Sequence, residues 1–204
     1  MYALVEDNEI KKIITNPKPM IINDVQYPAK IFQLWSIAEL NAIGIYEVIT
    51  DSTNKKDEFY YTNTNEQYNY ANDKVTRSWG IATPKRLEDE NAVDEDGKNI
   101  LDDDGNQVIN YGLKTEKKRI VKQQASSLLE KTDWHNHKAF DDETYTIPDN
   151  IKTYRANVRA KSNEMESQID ACNNVDELEA LYEYTEQEDG TTTRPLAEFP
   201  KEVV

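Results

Sequence analysis

The alternation of apolar and polar positions changes character partway along the chain. Up to residue 83 the apolar residues come in short runs. YALVED and EIKKIIT read as two strands joined by the polar EDNE turn, and Asn16-Pro17 and Lys18-Pro19 close that hairpin. SIAELNAIG reads as a short helix, with Ser36 and Glu39 at capping-box spacing and Gly44 as its stop. IYEVI follows as a strand, and EFYYTN, EQYNYAN and KVTRSWGIAT are aromatic strand candidates separated by Asn/Asp turns. Residues 1–83 are therefore expected to form a small antiparallel β-rich domain.

Residues 84–112 are more polar. Asp96-Gly97 and Asp104-Gly105 flank KNIL, the pattern of a protruding acidic hairpin or linker. From residue 113 the period lengthens. Leu113, Ile120, Val121, Gln124 or Ala125, and Leu128 recur at helical spacing over 113–131. A polar loop around TDWHNH follows, and Thr146 and Asp149 suggest a cap around Pro148. Ile151, Tyr154, Val158, Met165, Ile169 and Cys172 then form a narrow apolar stripe over 149–172, which suits a two-helix hairpin. Asn174 and Glu177 cap a short last helix, VDELEALYEY. The helical hairpin domain is placed at 113–182. An extended tail follows at 183–204, with a turn at Asp189-Gly190 and helix forbidden by Pro195 and Pro200. The fold class is α+β: an N-terminal β-rich domain, then a helical hairpin with a short third helix.

Composition narrows the partners. Among 204 residues, 37% are hydrophobic and 31% charged, so the core should be modest or completed by another molecule. With 39 acids against 24 bases the formal charge is -15, which repels phosphate backbones and anionic membranes and argues against nucleic acid and membrane partners. Cys172 is the sole cysteine, so no intrachain disulfide forms. The acids in MYALVEDNEI do not match a secretory signal, and no apolar run approaches the roughly 20 residues that cross a bilayer. A soluble protein made in the cytoplasm is expected.

Candidate chemistry is sparse. His135 and His137 are the only histidines, and their two-residue spacing does not match the i, i+4 metal pair of a helix. Zinc sites usually draw on three or more His or Cys, so a solvent-facing interhelical loop is the simpler reading and no metal is assigned. Neither EF-hand frame through DEDGKNILDDDG works: Ala92 or Ile100 falls at position one, and Asp103 or Tyr111 at position twelve. Weak calcium binding there stays open. There is no Gly-x-Ser-x-Gly elbow and no glycine-rich phosphate loop, and the carboxylate runs look solvated. No catalytic residue and no cofactor are assigned, and the chain is not expected to be an enzyme. Tyr60, Tyr61, Tyr68, Tyr70 and Trp79 could bind sugar or protein, with sheet core as the simpler role.

The run KKRIVKQQASSLLEKTDW is similar to one in bacteriophage tail-fibre assembly chaperones. In that family a basic helix ends in two leucines and is followed by a spacer, Ser or Thr, and Asp-Trp. The matching residues here are Lys118, Arg119, Leu128, Leu129, Thr132, Asp133 and Trp134. The family continues with a proline-containing loop and a second helix bearing Tyr-Arg and a further arginine; Pro148, Tyr154, Arg155 and Arg159 match. MYALVED and YPAKIFQLWSIAELNAIGIYEV resemble a domain that often precedes this hairpin in phage tail-region proteins. The resemblance is best over 113–160 and looser over 1–83. Departures are the acidic hairpin, the His-Asn-His segment and a C-terminal AEFPKEV that only faintly resembles the family's ending.

The resemblance implies a non-enzymatic phage tail-associated protein. It would bind a tail fibre or other tail or baseplate protein in the host cytoplasm during phage assembly and assist its folding or attachment. A permanent structural virion protein of the tail is the alternative, a small metal- or sugar-binding module a weaker third, and a homo-oligomer stays open. The implied motif residues are Leu128, Leu129, Asp133, Trp134, Tyr154, Arg155 and Arg159. Trp134 is expected to fold into the open end of the hairpin, burying about 150–250 Å². Asp133 is expected to cap a turn or to pair with Arg155 or Arg159.

Overall fold

A computed structural model describes residues 1–203. The expected α+β organisation is present, with β-rich structure first and helices after it. The chain divides into two compact units, Met1–Pro84 and Lys85–Val204.

In the first unit β1 (Tyr2–Glu6) and β2 (Glu9–Ile14) form the expected hairpin, and β3 (Met20–Ile22) and β4 (Val25–Tyr27) form a second one that was not expected. Asp7-Asn8 and Asn23-Asp24 sit at positive φ in these turns, the conformation of a tight two-residue hairpin that Asn and Asp tolerate. Helices α1 (Ile31–Leu34) and α2 (Ile37–Ala42) follow. The capping box at α2 is complete: Ser36 Oγ accepts from the Glu39 N–H, and the Ser36 N–H donates to the Glu39 carboxylate at 2.8 Å. Those bonds hold the Glu39 carboxyl below its usual range. Gly44, at φ +83°, ends the helix.

Strands β5 (Ile45–Thr50), β6 (Tyr61–Thr62), β7 (Gln67–Ala71), β8 (Lys74–Ser78) and β9 (Thr83–Pro84) complete the unit. The main sheet runs β2-β1-β5-β8-β7 and is mixed, not wholly antiparallel: β5 pairs parallel to β8, with Val48 opposite Val75. The long 51–73 excursion makes that possible, because it carries the chain back to the starting end of β5. The outer strands β2 and β7 approach one another, so the sheet is rolled. Ala3, Val5, Val48 and Val75 pack on one face, while Leu4, Ile14 and Ile45 meet Ile31, Phe32 and Leu40 on the other. Of the aromatic group, Tyr60, Tyr61 and Trp79 are buried. The Tyr70 hydroxyl bonds to Tyr46 and Asp73, which raises its pKa.

In the second unit, β10 (Glu90–Asn91) pairs with β11 (Ile109–Asn110). Between them the segment folds on an eight-residue period. Ala92 N–H donates to Val108 O, Val108 N–H to Ile100 O, and Ile100 N–H to Ala92 O, at 2.8–2.9 Å, closing a ring of three backbone bonds. Two short arms leave the ring, each tipped by an Asp-Gly turn. Asp94 accepts from the Asp96 and Lys98 N–H groups, and Asp102 from those of Asp104 and Asn106. The acidic segment is thus two short hairpin arms in place of one, a doubling set by the repeat of its sequence.

Helix α3 (Leu113–Glu130) starts against residues 86–89. The Gly112 N–H donates to Asp89 Oδ1, Leu113 N–H to Arg86 O and Lys114 N–H to Leu87 O. These partners satisfy amides that a helix start leaves free. Helix α4 (Asp133–Asp141) forms where a loop was expected, and α5 (Asp149–Ala171) and α6 (Val175–Ala180) follow. The segment 132–147 has no Gly or Pro to break a helix, and Asp133 and Lys138 complement the dipole of α4 at its two ends. Pro148 is the N-cap of α5, which leaves Thr146 outside the capping position, and no side chain caps this helix. Asn174 caps α6 through the Glu177 N–H, as expected.

The expected stripe on α5 is buried throughout, with Ser162 continuing it between Val158 and Met165. On α3 Leu113, Val121 and Ala125 are buried, along with Lys114 and Lys117, while Gln124 is exposed. Each fully buried aliphatic side chain contributes roughly 1.5–3 kcal/mol. The Lys122–Glu166 pair, open to water on its lysine side, contributes about 0–1 kcal/mol. The apolar stripe therefore holds α3 to α5, and the surface charges do not. The residues expected as a free tail pack as well: β12 (Thr185–Glu186) and β13 (Thr192–Thr193) form a hairpin around Asp189-Gly190, and Leu196 is buried.

Candidate interaction site at the helical joint

The end of α3, the start of α4 and the second turn of α5 meet at one guanidinium. Arg155 lies on the α5 stripe beside Tyr154 and is buried. Its Nη1 donates to Leu129 O at 2.8 Å and to Thr132 Oγ1 at 2.7 Å, and its Nη2 pairs with Asp133 Oδ1 at 2.7 Å. Thr132 Oγ1 in turn donates to Leu129 O at 3.0 Å. One planar fork thus joins a carbonyl at the end of α3 to a carboxylate in the first turn of α4. Arg159, one turn along α5, donates to Arg155 O at 3.3 Å.

Leu128 and Leu129 are half-buried against Ala125, Tyr154 and Val158, and Phe199 and Val203 cover the same cluster. Tyr154 is 5% exposed, and its hydroxyl finds no hydrogen-bond partner among the described residues. Burial raises its pKa. A groove of about 610 Å³ runs alongside, lined by Gln124, Ser127, Leu128, Lys131, Arg194 and Phe199 among others. At the other end of the hairpin Lys114 donates to Asp170 O and pairs with Glu88, while Lys118 pairs with Asp170 at 2.7 Å, which raises the Lys118 pKa.

The structure brings together Leu128, Leu129, Asp133, Tyr154, Arg155 and Arg159. It does not bring in Trp134. That side chain is 54% exposed and lies face to face on His135, with centroids 3.7 Å apart, instead of filling the hairpin end. The reason is α4: once Asp133 starts a helix, Trp134 is carried outward. The same helix corrects the reading of the histidines as loop residues. Two residues on a helix are about 200° apart, so His135 is buried, its Nδ1 2.5 Å from the Tyr145 hydroxyl, while His137 is exposed. Among the described residues no group of three or more His, Cys, Asp or Glu is arranged to hold a metal. Tyr145, Lys131, Phe199 and Val203 were not singled out from sequence. AEFPKEV carried a weak signal for the last two, an aromatic and an aliphatic four residues apart.

Comparison with protein-family models, curated proteins and solved structures found no match for this chain.

Proposed function

We propose that this chain is a non-enzymatic phage tail-associated protein of the assembly-chaperone type. It binds a tail fibre or another tail component in the host cytoplasm and assists its folding or attachment. The observation that supports this reading is the joint itself. Six of the seven motif residues implied by the resemblance to tail-fibre assembly chaperones meet there, in contacts that hold a hairpin and leave a groove beside it. The groove and the half-buried leucines offer apolar and polar contact to a polypeptide and no reactive group. The test is co-expression with the fibre protein of the same phage, followed by affinity capture. Recovery of the fibre protein with this chain, lost on replacing Leu128 and Leu129 by serine, is expected. Recovery that ignores those leucines would move the binding elsewhere.

The alternative, a permanent virion component, is favoured by one observation. The two acidic arms expose Val93 and Leu101 on short hairpins, a shape suited to a lattice contact. Mass spectrometry of purified particles separates the readings: a stoichiometric amount supports the component, absence the chaperone.

A further inference from the structure

We propose that residues 197–203 are a displaceable strap over the binding face of the α3–α5 hairpin. The partner segment that replaces it carries the same pattern: an aromatic residue, an acid three positions on, and an aliphatic next to the acid. The inference rests on the hairpin being a binding element and not on the identity of the partner.

The strap begins at a firm anchor. Leu196 is 2% exposed and its N–H donates to Leu181 O, while Gln168 binds both Pro195 O and the Ala197 N–H. Beyond Ala197 the hold weakens abruptly. No backbone hydrogen bond ties 198–203 to the rest of the fold among the described residues. What remains is apolar contact by Phe199 and Val203 with the Ala125–Tyr154–Val158 cluster, the Lys131–Glu202 pair at 2.5 Å and a longer Arg194–Glu198 pair at 3.5 Å. The Lys131–Glu202 pair is half-exposed on both sides, so water competes for it.

The strap also fits its seat incompletely. It covers Tyr154 with carbon and leaves the buried hydroxyl without a partner. It leaves the groove beside Phe199 unfilled, and there Arg194, whose guanidinium lies over the Tyr182 and Tyr184 rings, has its buried Nε without a hydrogen bond and 3.5 Å from Glu198. An incoming segment with Phe199-like, Glu202-like and Val203-like residues reproduces the strap's apolar contacts and its pair with Lys131. If it also offers a carbonyl to Tyr154 and extends along the groove toward Arg194, it gains what the strap lacks. Until then the strap, held at high effective concentration by its anchor, keeps the apolar face from non-specific contact.

The probe is the peptide PLAEFPKEV, titrated by NMR into the full chain and into a Phe199→Ala/Val203→Ala variant. The variant is expected to bind it at least tenfold more tightly than the unaltered chain. Adding Lys131→Glu should weaken that binding severalfold, and a peptide with serine in place of phenylalanine should not bind. Equal affinity for both chains, or no binding to a variant of unchanged helical circular dichroism, would overturn the strap. If the variant loses helicity, thiol labelling of Ala125→Cys decides. Ala125 and the native Cys172 are equally buried, at 7% and 6%, so strap opening predicts at least tenfold faster labelling of the introduced thiol. Equal rates would count against it. No fibre protein enters these experiments, so their failure is separable from failure of the tail reading.

Discussion

At the scale of single residues, Arg155 and Trp134 trade the places that their types suggest. Tryptophan is the usual anchor of a small core, yet Trp134 is half in water, while the arginine is buried with three partners. Arg155→Ala removes its charge-assisted bonds to the Leu129 carbonyl, the Thr132 hydroxyl and the Asp133 carboxylate and should cost about 2–3 kcal/mol. Arg155→Lys should recover only part, since an ammonium has no fork. Trp134→Ala should cost less than about 1 kcal/mol. Denaturant melts of the three variants check the ordering, and equal losses for Arg155→Ala and Trp134→Ala would refute it. Tyr182 makes a second residue-level prediction. Burial pushes its pKa up to about 12, so the folded chain keeps a proton that the unfolded chain releases near pH 10. Its contribution is therefore complete below pH 10 and is lost as pH rises toward 12. The Tyr182→Phe variant should lose less stability over that window, read by thermal melts at stepped pH.

At the scale of elements, helix starts are decided by what lies next to them. Ser36–Glu39 and Asn174–Glu177 are local caps and were legible, because donor and acceptor are three residues apart in the chain. The start of α3 at Leu113 was legible from its period, but its capping partners were not, since Arg86, Leu87 and Asp89 lie more than 20 residues upstream. Gly112 permits that approach: a Cβ there would fall onto the Glu88 carbonyl. Gly112→Ala should thus displace residues 86–89 and cost about 1–3 kcal/mol, although the backbone conformation itself suits alanine. A melting temperature unchanged by this variant would show that the 86–89 segment does not cap α3. The parallel β5/β8 pair belongs to the same class of feature, since strand periodicity carries no information on direction.

At the scale of the molecule, charge is unevenly shared. Residues 85–204 hold 28 of the 39 acids and 16 of the 24 bases, so the negative excess belongs mostly to the second unit. Nine acids and one lysine lie between 88 and 104 alone. Such a surface repels itself, and salt should relieve it. Expressed as separate fragments, 1–84 and 85–204 are each expected to melt cooperatively, and raising the salt to half-molar should stabilise the second more than the first. Calorimetry of the fragments reads both results; an unfolded fragment would mean that the units depend on one another.

What the sequence determined by itself was everything written in near-neighbour spacing. That covers the β-rich first half, hairpin turns at Asn and Asp, the caps at Ser36 and Asn174, and the apolar stripe of α5 from Ile151 to Cys172. These depend on periods of two and of 3.6 and on side chains that reach their own backbone. Only the tertiary structure decided that Arg155 is the centre of the joint, that Trp134 faces water, that residues 86–89 cap α3, and that Phe199 and Val203 lie over Tyr154. Each of these joins groups that are distant in the chain. Their free energy comes from burial and from hydrogen bonds that exist only after the elements have packed.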